Sequence, residues 1–331
     1  MKNPKIQRTR LPSLIGVALG VSSLTAASAG TLPQGSFSAS WTTATASSNS
    51  LWYQKGTEVE LVELPGIESG EHFRDISSTL KVSYGLLDNL ELNLGVGVIN
   101  KSHTLGSGRA YNIPYINDAG NYAFRSETYD EPTEYRSATE ATYLTLGLKT
   151  GVLSWNGLDI NAYTRAEFAP KASEDFFFLS GNDRSHHFVA GIEASQAFDF
   201  GGFAYADNNF KYRTAHAWQY EGAIGAGYGF SRYTFSAFYH LLWSKRTEFN
   251  CFHDPSNLLQ FHDLPLWKDG SAAANGPGWD RHHGPGFSLS AVINQSETSY
   301  ISAELFAYMK LAGVNTDKST SFGLNLNYAL Y

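Results

Sequence analysis

The sequence predicts an all-β fold: a transmembrane antiparallel up-and-down β-barrel of about twelve strands with long extracellular loops. Segments in which apolar residues alternate with small or polar ones recur along the chain after residue 30, as is typical of antiparallel strands with one apolar face. The links between these segments alternate between short turns and long loops. Charged residues make up only 17% of the chain, against about 25% in ordinary soluble domains.

The first 29 residues are typical of a secretory signal peptide. The opening decapeptide MKNPKIQRTR carries four basic residues, an apolar stretch follows at 11–24, and Ala27-Ser28-Ala29 has the small-x-small form of a cleavage site. The apolar stretch is too short to span a bilayer as a mature helix. We therefore expect a signal peptide over 1–29 and an outer-membrane barrel over 30–331. The formal net charge of −7 becomes more negative after cleavage, which argues against a nucleic-acid partner.

The stretch SYGLLDNLELNLGVGV, residues 83–98, shows the alternation most clearly. Leu94, Val96 and Val98 alternate with Gly95 and Gly97, so one face is aliphatic and the other is small and polar. The same pattern predicts strands at 35–46, 73–86, 89–101, 139–153, 158–170, 187–198, 203–213, 220–230, 233–243, 286–293, 300–311 and 320–331. Short turns are expected near 87–89, 154–157, 200–202, 231–232 and 294–298. An even number of strands places both termini of the chain at the short-turn end of the barrel.

Two architectures fit such strands. A soluble sandwich or barrel would hide the apolar face in a core, whereas an outer-membrane barrel would point that face at lipid and enclose the polar one. Four features favour the membrane barrel: the low charge, a polar face rich in Gly and Ser, aromatic residues gathered beside the short turns, and long loops that all lie at one rim. The expected aromatic girdle consists of Tyr84, Trp155, Phe198, Tyr228, Phe230, Tyr233, Tyr300 and Tyr328.

Three segments resemble a known family. The hairpin VSYGLLDNLELNLGVGV, its echo GYGFSRYTFSAFY at 227–239 and the start LPQGSFSASW are similar to the phenol-degradation (MetA-pathway) transporter family of outer-membrane barrels, which is related to the fatty-acid channel group. The resemblance spans residues 31–331, apart from the loop at 251–285. It implies a channel for passive uptake of small hydrophobic or aromatic compounds, and it carries no catalytic residues.

Alternation also assigns a set of charged side chains to the lumen. These candidates are Lys81, Glu91, Lys149, Asp159, Arg165, Glu167, Glu193, Asp207, Lys211, Arg213, Glu304 and Lys310. They would either create a transverse field that orients polar permeants or pair across strands and hold the wall together, because unpaired buried charge is costly. The inward glycines would either make room for a ligand or accommodate curvature and large neighbours.

The long loops offer a candidate entrance. Apolar residues there could form a hydrophobic surface for an apolar solute, or they could merely pack the loops against one another. The candidates are Phe176, Phe177, Phe178, Phe261, Leu264 and Trp267. The loop at 251–285 also holds His253-Asp254, His262-Asp263, Asp280, His282 and His283. None of these has the spacing of a zinc signature, so we expect a polar surface loop without a metal or other cofactor.

The expected function is therefore passive uptake of small hydrophobic or aromatic solutes by a monomer in the outer membrane of a Gram-negative bacterium, with membrane lipid and the solute as its partners. A structural or ligand-binding barrel without transport is the alternative. A barrel enzyme is a weaker one: His240 lies near Ser236 and Ser244, but no lipase-like motif surrounds them. We expect no enzyme.

Overall fold

The computed structural model describes residues 30–48, 50–52, 58–60, 72–108, 110–116, 122–170, 186–213, 217–244, 281–314 and 316–331. The expected signal peptide, 1–29, lies outside these residues. Twelve strands form the barrel: β1 Phe37–Ser48, β2 His72–Leu87, β3 Leu90–Leu105, β4 Thr133–Trp155, β5 Leu158–Phe168, β6 His187–Ala197, β7 Gly202–Arg213, β8 Ala217–Phe230, β9 Tyr233–Ser244, β10 Arg281–Gln295, β11 Ser299–Met309 and β12 Thr320–Leu330. Within the described part of the chain, no helix could cross a membrane.

Each strand pairs antiparallel with the next one in chain order, and β1 pairs with β12 from Phe37↔Leu330 to Ser47↔Thr320. The sheet is therefore closed, and the predicted twelve-stranded up-and-down barrel is confirmed. Short turns join alternate pairs of strands at the positions that the sequence predicted. At two of these turns Asn156 and Ser231 adopt positive φ angles of 48° and 56°, as tight hairpins require.

Several strands extend beyond the predicted bounds at the end that carries the long loops. Strand β4 begins at Thr133, where it pairs with Leu105 of β3, and β10 begins at Arg281, which pairs with Trp243 of β9. Two smaller sheets accompany the barrel. Their strands are Ser50–Trp52, Glu58–Glu60 and Thr316–Asp317 in one, and Ala110–Ile116 with Tyr122–Thr128 in the other.

The apolar face of the sheet points outward. Leu94, Val96 and Val98 are each 46% exposed, whereas Gly95 and Gly97 between them are buried. The same holds around the barrel, where large apolar side chains cover the outer surface and polar ones line the interior. The soluble architecture with an apolar core is therefore wrong, and the distribution is that of an outer-membrane barrel.

The aromatic residues expected beside the short turns lie mostly on this outer surface. Seven of the eight are exposed: Tyr84, Trp155, Phe198, Tyr228, Phe230, Tyr233 and Tyr328. Tyr300 is half-buried, and Phe200 at the turn before β7 joins the exposed set. Aromatic rings in such a band are placed to lie at a membrane–water boundary.

Candidate functional site

The candidate site is the lumen, which holds a cavity of about 270 Å³ lined by residues of strands β1 to β9. Its walls differ in character. Strands β1 and β2 contribute the ammonium group of Lys81 and hydroxyl groups from Ser38, Ser40, Thr42, Ser77, Thr79 and Ser83. Strands β4 to β9 contribute charged and aromatic side chains. The lumen is thus polar on one side and mixed on the other.

Aromatic rings on the inner wall lie over glycines of the neighbouring strand. Five inward aromatic residues have a glycine as their direct cross-strand partner: Tyr163↔Gly191, Phe203↔Gly227, Tyr205↔Gly225, Phe238↔Gly286 and Phe306↔Gly323. A Cβ atom at any of these glycines would overlap the partner's ring; at Gly286 it would lie within 2.6 Å of three carbons of Phe238. These glycines therefore accommodate large neighbours, the second of the two interpretations that the sequence left open.

Two of the rings that lie over glycines reach beyond them to the next strand. The Tyr163 hydroxyl crosses Gly191 of β6 and donates a hydrogen bond of 2.8 Å to Asp207 Oδ1 on β7. Phe238 on β9 crosses Gly286 of β10 and stacks on Tyr308 of β11, with ring centroids 6.4 Å apart and planes 7° apart. Tyr205, Phe238 and Tyr308 form a buried aromatic cluster.

Glu167 on β5 contacts three basic side chains. The Arg165 guanidinium donates to Oε1 from Nε at 2.8 Å and from Nη2 at 2.7 Å. His187 Nδ1 lies 2.8 Å and Lys211 Nζ 3.2 Å from Oε2. This network joins β5, β6 and β7 at the end of the barrel that carries the long loops.

Two further pairs lie on the inner wall. Lys149 Nζ lies 2.9 Å from Glu193 Oε2, and His240 Nε2 lies 3.0 Å from Glu221 Oε1. Cross-strand pairing, the second interpretation of the charged set, therefore describes Lys149 with Glu193 and the network around Glu167. Lys81 differs: it lines the cavity, yet no ion pair or hydrogen bond of its ammonium group occurs among the described residues.

The chain before β1 contacts the inner wall at the short-turn end. The Leu32 backbone N–H donates to Glu91 Oε2 at 3.1 Å, the Gln34 N–H donates to Asp88 Oδ1 at 3.1 Å, and the Thr31 hydroxyl donates to the Asp88 carbonyl at 2.8 Å. Glu91 is buried beneath this segment. Residues 31–34 thus narrow one mouth of the barrel.

The sequence candidates divide into three groups. Six of them line the cavity: Lys81, Glu91, Lys149, Arg165, Glu193 and Asp207. Asp159, Glu167, Lys211, Glu304 and Lys310 lie on the inner wall beyond the cavity lining. The side chain of Arg213 lies outside the described part, as do the loop candidates Phe176, Phe177, Phe178, Phe261, Leu264 and Trp267 and the histidines and aspartates of 253–280.

Sequence reasoning missed Glu221 and the inward rings of Tyr163, Tyr205 and Phe238. Glu221 precedes Ala223, Gly225 and Gly227 at period two, so extending that alternation by one step would have found it. Within the described residues, no group of three His, Cys, Asp or Glu side chains is arranged to hold a metal ion.

Comparison with known proteins adds a fold relationship. No protein-family model matches the sequence, and no curated protein matches it. An outer membrane channel from Pseudomonas putida F1 superposes with a TM-score of 0.58 at 13% identity, over 91% of this chain and 97% of that one. The toluene transporter TbuX of Ralstonia pickettii reaches a TM-score of 0.39 at 10% identity, over 90% and 89% of the two chains. The KdgM porin reaches 0.40 at 8% identity, over 88% and 98%. The last two scores are too low to support an argument, and the first shows that this chain has the barrel fold of an outer membrane channel.

Proposed function

We propose that the protein is an outer-membrane channel for the passive uptake of small hydrophobic or aromatic solutes. The observation that carries the proposal is the wall of the lumen, where aromatic rings lie flat over glycines and leave a cavity open between them. At about 270 Å³ the cavity is smaller than the pockets of about 300–1,000 Å³ that hold drug-sized ligands. It suits a solute with a single ring.

The outward apolar face and the aromatic band beside the short turns support insertion in a lipid bilayer. The predicted signal peptide supports export to the outer membrane. Closure of the twelve-stranded sheet within one chain supports a monomer, because the barrel itself leaves no strand edge for a second copy to pair with.

The contacts around His240 give no support to the enzymatic alternative. Its Nε2 faces Glu221, while Ser236 Oγ lies 2.8 Å from Ser288 Oγ. Ser244 is fully buried, and its hydroxyl accepts a hydrogen bond of 3.1 Å from Gln219. Nucleophilic catalysis needs a serine in hydrogen-bond contact with its base, and these groups are engaged elsewhere.

Uptake into liposomes tests the proposal. The purified barrel is reconstituted into liposomes after its folding has been checked by heat-modifiable migration in gel electrophoresis. These liposomes should admit toluene, phenol and benzoate faster than arabinose, which is of similar size. Liposomes without protein and liposomes with the heat-denatured chain are the controls. Deleting residues 255–280 should slow uptake of the aromatic solutes if the outer loop forms their entrance. Rapid uptake of arabinose and aromatic solutes alike would indicate a general pore, and no uptake of either would favour a structural barrel.

A further inference from the structure

We propose that the lumen contains a binding subsite for a small aromatic carboxylate. Lys81 binds the carboxylate, and the rings of Tyr205 and Phe238 contact the aromatic ring. The inference rests on the proposed channel function, and it names the ligand class and the contacts of that lumen.

Lys81 is the cavity-lining cation with donors to spare. Lys149 and Arg165, the other two cations in the lining, are held by Glu193 and Glu167. The direct cross-strand partners of Lys81 are Ser40 and Gly95, which carry no charge. An ammonium group has three donors and is costly to desolvate without an anion. A carboxylate that enters the cavity supplies that anion.

The acidic groups of the same cavity are already engaged. Glu193 is paired with Lys149, and Glu221 with His240. Glu91 accepts from the Leu32 backbone and Asp207 from the Tyr163 hydroxyl. Each acid in the lining therefore has a donor of its own. Lys81 has no acceptor among the described residues, whereas each acid in the lining has a donor. The cavity therefore favours an anionic solute over a cationic one.

The aromatic contacts lie across the lumen from Lys81. In a closed ring of twelve strands, β2 lies opposite β8, and Tyr205 on β7 and Phe238 on β9 flank β8. Both rings line the cavity. Because Gly225 and Gly286 lie beneath them, the rings are held against the wall. A planar ring with a carboxylate at one end can therefore meet the ammonium on one side and aromatic surfaces on the other.

Three ligands distinguish the contribution of Lys81 to binding from that of the aromatic rings. Benzoate has both the charge and the aromatic ring, cyclohexanecarboxylate has the charge without the aromatic ring, and phenol has the ring without the full charge at neutral pH. Isothermal titration of the purified barrel in a non-ionic detergent should give the highest affinity for benzoate and lower affinities for cyclohexanecarboxylate and phenol. Since titration measures binding and not flux, its result is independent of the liposome experiment.

Lys81→Met should weaken benzoate binding roughly ten- to a hundredfold, because a hydrogen bond to a charged group is lost. Phenol binding should change little, and Lys81→Arg should keep most of the affinity for benzoate. Arg232→Met, which removes one positive charge at a short turn outside the lumen, is the matched control. Phe238→Leu should narrow the preference for benzoate over cyclohexanecarboxylate by about two- to tenfold.

Equal benzoate affinity in folded Lys81→Met and the unchanged chain would overturn the proposal, as would equal affinity for benzoate and cyclohexanecarboxylate. If the methionine variant does not fold, as judged by heat-modifiable migration in gel electrophoresis, Lys81→Gln replaces it in the titration. On the unchanged chain, raising the chloride concentration should weaken benzoate binding but not phenol binding; no difference would again count against the Lys81 contact. Benzoate binding without liposome uptake would leave the subsite standing and overturn the channel function. Liposome uptake together with benzoate binding that does not depend on Lys81 would leave the channel function standing and overturn the subsite.

Discussion

Replacing Gly286 by alanine should push the Phe238 ring off the barrel wall. The added Cβ would lie within 2.6 Å of three ring carbons, whereas ordinary van der Waals contact begins at 3.4 Å. Even the most distant of these carbons must therefore retreat by about 1 Å. The backbone of β10 lies behind the ring, so the free direction is toward the lumen.

This displacement has an energetic and a functional consequence. Overpacking of this kind costs about 1–3 kcal/mol. It also disturbs the stack between Phe238 and Tyr308, and such aromatic pairs contribute about 0.5–1.5 kcal/mol. Because Phe238 lines the cavity, the displaced ring should narrow the lumen and lower the single-channel conductance.

The assay combines conductance in planar bilayers with urea unfolding followed by heat-modifiable migration. Gly229→Ala is the matched control, because a Cβ at this inward glycine meets nothing closer than 3.7 Å. The double variant Gly286→Ala/Phe238→Ala should conduct like Phe238→Ala alone, since the obstructing ring is gone. If Gly286→Ala matched Gly229→Ala in both conductance and stability, the account of the rings and glycines would be refuted.

Three further predictions concern the two faces of the wall and one mouth of the lumen. Leu94→Arg on the outward face should cost about 2–4 kcal/mol of unfolding free energy if the site lies near the bilayer midplane, whereas Asn93→Arg on the inner face should cost less; equal costs would contradict the assigned faces. Glu167→Gln should destabilise the barrel by about 3–5 kcal/mol in urea titrations, because Arg165 and Lys211 lose a buried carboxylate and His187 loses its hydrogen-bond partner; an unchanged midpoint would show that the network contributes little. Glu91→Ala with Asp88→Ala should raise the conductance by releasing residues 31–34, and no rise would mean that this segment does not obstruct the mouth.

The strands could be predicted because alternation is a local property of the chain. Each outward residue such as Leu94 or Val96 is two positions from the next, whatever the neighbouring strand contains. The beginning of β10 was missed for a physical reason. The segment HHGPG, 282–286, contains two glycines and a proline, which favour a loop, yet it pairs with β9 from Leu242 to Phe238.

The wall of the lumen could be predicted only in part. The phase of each strand assigns Lys81 or Glu193 to the inside, but the register between strands decides what each residue meets. Nothing in the local sequence shows that Phe238 faces Gly286, 48 positions later in the chain. The sequence therefore predicted an interior rich in glycine and charge, while its rings and ion pairs depended on the registers.

Closure between β1 and β12 also governs how the chain reaches its folded state. The eleven residue pairs from Phe37↔Leu330 to Ser47↔Thr320 join the first strand to the last, so these contacts form only after the last strand has been synthesised. A product truncated before Thr320 would leave β1 and β11 with unpaired backbone groups along their full length. Such edges cannot be exposed to hydrocarbon and readily pair with other chains. Truncated chains should therefore aggregate or be degraded before insertion, and they should not accumulate as smaller barrels.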